Sequence, residues 1–513
     1  MFNLTMAMPN PLHSVARVRS IEQRAMQRLG HYTLMQRAGR AVAKQALAMN
    51  EGPFLVLAGP GNNGGDAFEA AAYLCEAYRH VEIVRLNDTP PYSDEARLAY
   101  QRCVDAAIPM HRAWPTHLRP ACVIDGLFGI GLARPIDDAA RVLVEAANAC
   151  NAPIVAIDIP SGIDADTGAI VGGSQGTAIR AHTTLTFIAD KPGLHTGRAL
   201  DYVGEVKCDA LGCEAELREE CTHGELLSPI GFVGRWLRRD LDSHKGRFGV
   251  VTIIGGDTGM AGAAVLAARA ALLSGAGRVV LATLATLPAY DVMHPELMLR
   301  DAQSLASSMI ETGPIVIGPG LGHTAAARAL LDRVLNHSSA AVLDADALNL
   351  LAHDTSLHTA LKRRAGRGQR TLLTPHPLEA ARLLETEAHL VQADRIAHAL
   401  RLAAATSTDV ALKGAGTVIA STDGRYAINP TGNPALATGG TGDVLAGIAG
   451  ALLAVAPAAH ALRAAVWLHG SAADALVASG VGPIGLAAGE LMPEVRRCLN
   501  RLAQQYSNGV LSD

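Results

Sequence analysis

Short apolar runs, each giving way to glycine or a polar residue and then to a helix-length segment, recur along most of this chain. That alternation is the strongest constraint on its fold. Strand, helix and strand repeated in order form the βαβ pattern of a doubly wound parallel sheet. In the first half, the pattern predicts strands over 54–58, 81–86, 121–125, 154–159 and 184–188. Helices are predicted over 69–77, 94–107 and 137–150. The period lapses between about residues 211 and 242, where mixed charge, Cys, Gly and Pro place a domain junction. Strands resume over 250–254, 278–284, 315–317, 341–343, 371–374 and 410–412, with helices over 262–274, 324–335, 378–385, 441–455 and 459–478. The 513 residues exceed one ordinary core and predict roughly two to four domains. The domains expected are residues 1–220 and 228–508. The halves share an architecture but no motif, so they are not a repeat.

Composition excludes several classes. A net charge of -4 gives no long-range attraction to nucleic acid or membrane, and neither partner is expected. Hydrophobic residues make up 49% and aromatics 4%, so Ala, Gly, Val and Leu carry the core. The eight cysteines are scattered with no CxxC pair, which argues against a zinc or disulfide framework. No apolar run suits a signal peptide or a membrane span, and a cytoplasmic location is expected.

The stretch GPGNNGGD opens at Gly59, after the apolar run 54–58. Gly59, Gly61 and Gly64 fit the spacing of a dinucleotide fingerprint, but the acidic partner expected about 20 residues later is only roughly met by Asp88. Asn62, Asn63 and Asp66 are unusual there and suit a hydroxylated ligand or a hard cation held through oxygens. Asp125 and Asp158-Ile159-Pro160-Ser161 stand at two further strand ends of the same sheet, where ligands bind. Taken singly, Asp125 fits a helix N-cap equally well and Ser161 an ordinary turn. Together the three strand ends point to a site.

GPGNNGGD, VIDGLFGIGL, AIDIPSGID and TFIADKPGL, in that order over about residues 15–215, resemble the NAD(P)H-hydrate epimerase domain. The resemblance implies a Rossmann-like sheet and a potassium ion (K+) held by Asn63, Asp125 and Ser161. It implies hydrated nicotinamide nucleotide bound by Asn62, Asn63, Gly64, Gly65 and Asp66, by Gly129, Ile130, Gly131, Leu132, Ala133, Arg134 and Pro135, and by Asp158. Epimerising a carbinol carbon needs a positioned acid/base, for which Asp158 is the candidate. Lys191 is either its partner or a solvated surface lysine. Ala67 stands where the family usually has glycine, so its methyl is expected to crowd the turn.

In the second half, ATGGTGDVLAG (437–447) opens a helix with glycines, and the helix NH groups suit an anion. Asp443 falls in its first turn, within reach of a hydroxyl attacking a bound phosphate. No Lys-Ser/Thr follows, so this is no Walker loop. A glycine-rich helix start with Asp443 as a capping-region charge is the plainer reading of that element alone. His376 alone reads as a satisfied loop histidine, and Asp344 as a helix cap.

HKGRFGVVTIIGGD, GPGLG, LDADALN, TPHPLE, LKGAGTVI and the GTGD helix start resemble the ribokinase-like superfamily. More narrowly they resemble its ADP- or ATP-dependent NAD(P)H-hydrate dehydratase branch, over about residues 228–505. The implied fold is a ribokinase-like α/β sandwich. By that resemblance Ala263, Gly322, His376 and Asp443 touch the hydrate, while Lys413, Gly414, Ala415, Gly416, Thr417 and Gly442 touch the adenine nucleotide. Mg2+ accompanies ADP or ATP, and Asp443 is the base. Asp257 departs from the usual serine. The implied enzyme is an α/β protein of two domains that epimerises hydrated NAD(P)H and dehydrates its S form, acting on small molecules as a homo-oligomer. The alternative is a ribokinase-like small-molecule kinase with an accessory binding domain.

Overall fold

The computed structural model describes residues 10–87, 93–286, 288–305 and 312–511. Asp88 lies outside them. The chain divides into two compact units, Pro11–Gly224 and Glu225–Asp513, the second also taking in Asn10. No helix among the described residues is long and apolar enough to cross a membrane.

The N-terminal unit is built on a seven-stranded parallel sheet. Its spatial order is Met110–His111, Val81–Arg85, Phe54–Ala58, Cys122–Gly126, Ile154–Ile157, Thr183–Phe187, Glu205–Asp209. The chain leaves Phe54–Ala58 toward one edge and returns to Cys122–Gly126 on its other side. The loops after these two strands therefore open a crevice at their carboxyl ends. One sheet face packs on helices His31–Met49 and Asn62–Glu76 through an alanine-rich core.

The C-terminal unit repeats the logic. Parallel strands run in the order Asp409–Leu412, Arg370–Leu373, Ala340–Leu343, Ile315–Ile317, Val250–Gly255, Arg278–Thr283, Met298–Asp301. The reversal lies between Val250–Gly255 and Ile315–Ile317. An antiparallel pair, Val418–Ala420 and Tyr426–Ile428, extends the sheet beyond Asp409–Leu412. The sequence pattern, whose last expected strand is 410–412, does not predict this pair. Helix Thr441–Leu453 is buried along most of its length and packs with Ala261–Leu273 in the central core.

Most predicted strands match within two residues. One correction concerns Asn62–Glu76, which starts seven residues before the expected 69. Gly64 and Gly65 lie inside its first turns, not in a loop. Glycine is a poor helix former, so the run reads as irregular. Packing decides otherwise: a Cβ on Gly64 would collide with the Gly59 carbonyl, and one on Gly65 would stand 2.5 Å from Met35 Cε. The long helices Val15–Leu29 and His31–Met49 were also not anticipated.

Candidate active sites

The crevice of the N-terminal sheet opens into a cavity of about 580 Å³. Among the predicted ligand contacts, Asn62, Asn63, Asp66, Gly129, Ile130, Gly131, Leu132, Ala133, Arg134 and Asp158 line it. Gly64, Gly65 and Pro135 are absent from its wall. The two glycines are buried by the packing just described, and Pro135 is exposed and lies against Gly172.

Asp125 caps no helix. Its side chain is wholly buried, accepting from Ser161 Oγ at 2.6 Å, Ser161 N at 2.8 Å and Leu127 N at 3.2 Å. Burial pushes the carboxyl up to about 6, against those three hydrogen bonds. Ser161, also wholly buried, accepts from Phe128 N at 2.9 Å, so it is no ordinary turn residue. Asn63 approaches the same loop: its Oδ1 would lie 3.1 Å from a Cβ placed on Gly129. Its Nδ2 is buried without a hydrogen-bond partner, so turning the amide over breaks no bond and aims the oxygen there instead. Asp125 and Ser161 thus bond directly between two strand ends, and the Asn63 side chain flanks the Gly129 loop that follows Asp125.

Asp158 follows its strand with φ 65, a left-handed conformation that aspartate tolerates. Its Oδ1 accepts from Lys191 Nζ at 2.7 Å, Thr186 Oγ1 at 3.1 Å and Phe187 N at 3.1 Å. Lys191 is not a solvated surface residue: its side chain is 0% exposed. The ammonium also donates to Thr186 Oγ1 at 2.7 Å and to the carbonyls of Phe187 and Ala189. Three more carboxyls, those of Asp66, Glu22 and Glu95, line this cavity. Asp66 is pushed well above the usual carboxylate range by burial, then by Asp158, Glu22 and Glu69. Glu22 is pushed up by burial and by Asp158. The sequence reading missed Glu22, which sits in a helix it had not identified.

In the C-terminal unit, strand ends bring Asp344, Thr374 and Lys413 together. Lys413 Nζ donates to Asp344 Oδ1 at 2.7 Å and lies 4.0 Å from Glu379 Oε2. Thr374 Oγ1 donates to Asp344 at 2.9 Å. Asp344 is therefore no cap: Ala345 holds the N-cap position and receives no side-chain hydrogen bond. His376 caps helix Pro377–Leu383 through Nδ1, and Glu379 Oε2 in turn accepts from His376 N at 2.8 Å. Its imidazole is held below the usual histidine range by burial and Lys413. Burial pushes Glu379 up to about 7.

Helix Thr441–Leu453 starts beside this cluster. Gly440 takes φ 92, which a side chain would strain, and turns the chain into the helix. A Cβ on Gly442 would stand 3.4 Å from Lys413 Nζ, so the ammonium faces the helix start. Asp443 is pushed up to about 6 by burial first, then by Asp344, with Lys413 opposing. Beneath it the buried His469 pairs its Nε2 with the Thr441 carbonyl at 2.9 Å. Gly322 N donates to Asp346 Oδ2 at 2.8 Å, and a Cβ on Gly320 would lie 3.2 Å from Ala263 Cβ, placing both predicted contacts along one loop. Thr417 Oγ1 and Gly414 bond to each other and close the turn after Lys413; Gly416 is buried there and Ala415 exposed. Asp257 Oδ1 accepts from Thr258 N at 2.7 Å, while its Oδ2 faces Gly322.

Known proteins share both units. The family described as YjeF-related protein N-terminus matches residues 31–193, and that described as NAD(P)H-hydrate dehydratase matches 251–493. A bifunctional NAD(P)H-hydrate repair enzyme of Coxiella burnetii is 37% identical, covering 95% of this chain and 99% of that one. The chain belongs to the bifunctional NAD(P)H-hydrate repair enzymes. The Escherichia coli member is 38% identical over 91% of this chain and 90% of its own. The ADP/ATP-dependent NAD(P)H-hydrate dehydratase of Bacillus subtilis, co-crystallized with ATP/Mg2+, is 32% identical with a TM-score of 0.45, covering 53% of this chain and 95% of that one. One chain here carries both family regions.

Proposed function

We propose that the N-terminal unit interconverts the R and S hydrates of NADH and NADPH, and that the C-terminal unit dehydrates the S form at the expense of ADP or ATP. The observation that carries the reading is the coexistence of two polar strand-end sites, Asp158–Lys191 and Lys413–Asp344–Asp443, in a chain related to bifunctional enzymes over nearly its full length.

In the first site Asp158 moves the proton that the carbinol oxygen at C6 needs to leave and to return. Lys191 fixes the carboxylate through a bond made from inside the protein. Asp66, its carboxyl pushed well up by burial and then by neighbouring carboxyls, is a second acid/base candidate in the same cavity. Asn62 and residues 129–134 hold the nucleotide. K+ fits among Asn63, Asp125 and Ser161: the donors are oxygens, and Asp125 has no cationic side chain among the groups acting on its carboxyl. Bound there, it would supply the missing counter-charge.

In the second site the C6 hydroxyl is phosphorylated and phosphate is then eliminated to restore the reduced nicotinamide. Asp443 removes the hydroxyl proton. The amides opening Thr441–Leu453 and the Lys413 ammonium face the transferring phosphoryl group and stabilise its charge. Lys413, Gly414, Ala415, Gly416, Thr417 and Gly442 hold the nucleotide, and Ala263, Gly322 and His376 the hydrate. Mg2+ carried by the nucleotide would neutralise phosphoryl oxygens, and the oxygen-only carboxylates of Asp344, Asp346 and Glu379 fit that hard cation.

The test is recovery of NADH absorbance from a mixture of its R and S hydrates, with ADP, with ATP and with neither. Nucleotide-dependent recovery running past the S fraction is expected. A stable phosphorylated product with no NADH regained would replace this reading with a small-molecule kinase.

A further inference from the structure

The N-terminal sheet carries a second cluster of chemically active side chains that neither proposed reaction uses. Glu82 lies in the first half of strand Val81–Arg85, so it sits toward the end of the sheet opposite the crevice. Its side chain is 5% exposed. Three histidines converge on it. His111, on edge strand Met110–His111, brings Nε2 to 2.6 Å from Oε2. His117, in the loop that follows, brings Nε2 to 3.2 Å from the same oxygen. His80, just before the strand, brings Nε2 to 3.0 Å from the other oxygen, Oε1.

One buried carboxylate needs one counter-charge, and one lysine or arginine would provide it. Three imidazoles aimed through the same ring nitrogen at the same group form instead a donor set. Ligand atoms of Glu82, His111 and His117 all lie within 4.8 Å of one another. Tetrahedral zinc, with ligand bonds of about 2.0–2.1 Å, needs its donors a little over 3 Å apart, a separation these side chains reach by small rotations. The carboxylate is anchored in the sheet, whereas His80 and His117 are 61% and 65% exposed, leaving an open entry path. Among the described residues this is the one group of three such side chains spaced to hold a metal ion.

We propose that Glu82, His111 and His117 form a binding site for a divalent transition cation of the zinc class. Two imidazoles and one carboxylate select that class over Mg2+ or Ca2+, which take oxygen. His80 bonds Oε1, the oxygen opposite the one His111 meets and one that His117 also approaches at 3.3 Å, orienting Glu82 as outer partners orient metal ligands. The fourth position stays open to water. The site ties the two-residue edge strand and its following loop to the strand beside them, so its role is to hold that edge of the sheet.

The experiment uses the untagged full chain, stripped with chelator and titrated with Co2+ and Zn2+. The wild type is expected to bind one equivalent, with a visible Co2+ d–d band and no near-ultraviolet thiolate charge-transfer band. H111A/H117A should lose that equivalent. Glu82→Gln should weaken binding at least tenfold, and His80→Ala by about 10- to 100-fold at unchanged stoichiometry. Zn2+ should raise the melting temperature of the wild type but not of H111A/H117A. Unchanged epimerisation by H111A/H117A, which lies outside the catalytic cavity, shows that the variant is folded. No stoichiometric binding by the wild type, or equal binding by H111A/H117A, overturns the proposal. So does a thiolate band, which would place the ion on cysteine.

Discussion

Lys191 donates to the Asp158 carboxylate at 2.7 Å from a side chain with no solvent exposure, and Asp158 itself remains 13% exposed to the cavity. A buried ammonium therefore stands behind the carboxylate and outside the cavity wall that Asp158 lines. Removing one member of such a pair strands the other, at a cost of about 3–5 kcal/mol.

Asp158→Asn should slow epimerisation by about 10²- to 10⁴-fold, the usual worth of a positioned acid/base, while leaving dehydration of the pure S hydrate intact. Lys191→Met should also lower the melting temperature of the N-terminal unit. Each rate is read separately, with R hydrate alone and S hydrate plus ADP. Normal epimerisation by Asp158→Asn would remove it from the mechanism.

Asp125, pushed up to about 6 by burial, should respond to K+. The melting temperature of the N-terminal unit is expected to rise in KCl relative to tetramethylammonium chloride at equal ionic strength. Asp125→Asn should abolish the rise and slow epimerisation at least tenfold. An equal rise in the variant would locate the ion elsewhere.

The sequence made the polar strand ends legible because chemistry there is written in short contiguous motifs: Asp125, Asp158, Ser161, His376 and Asp443 each stand in one. What it concealed was distance along the chain. Glu22 reaches the first cavity from a helix whose buried Val18, Ile21 and Ala25 follow helical spacing but carry no motif. The Asp344–Lys413 bond spans 69 residues, and Asp344 alone reads as a helix cap. Gly64 and Gly65 misled in the other direction, because glycine composition signals a loop when the contact that requires it is tertiary.

Ala67 illustrates the same point. Its methyl does not crowd a turn. The residue is fully buried within helix Asn62–Glu76, packed against Gly126. Ala67→Gly should therefore destabilise the N-terminal unit by roughly 1–2 kcal/mol, through helix propensity and lost packing, with epimerisation unchanged. Urea unfolding measures it; a stabilised variant would show that the methyl is strained after all.

Asp443 should impose a pH dependence on dehydration. A base must be ionised, and burial with Asp344 nearby pushes this one up to about 6. The rate should be flat above about pH 7 and fall about tenfold per pH unit well below 6. Glu379, pushed up to about 7, titrates in the same range, so Glu379→Gln is the control that keeps the fall if Asp443 causes it. Asp443→Asn should cost about 10²- to 10⁴-fold in rate. Stability should move the other way. A carboxyl raised from 3.8 to about 6 binds its proton more tightly in the folded state. It therefore favours folding below about pH 3.8 and loses that contribution as pH rises through 6, a difference on the order of 3 kcal/mol. The asparagine variant does not titrate, so it should be more stable than wild type at pH 7.5, with the gap closing toward pH 4. A wild-type rate that stays flat from about pH 7 to 5 would remove Asp443 as the base.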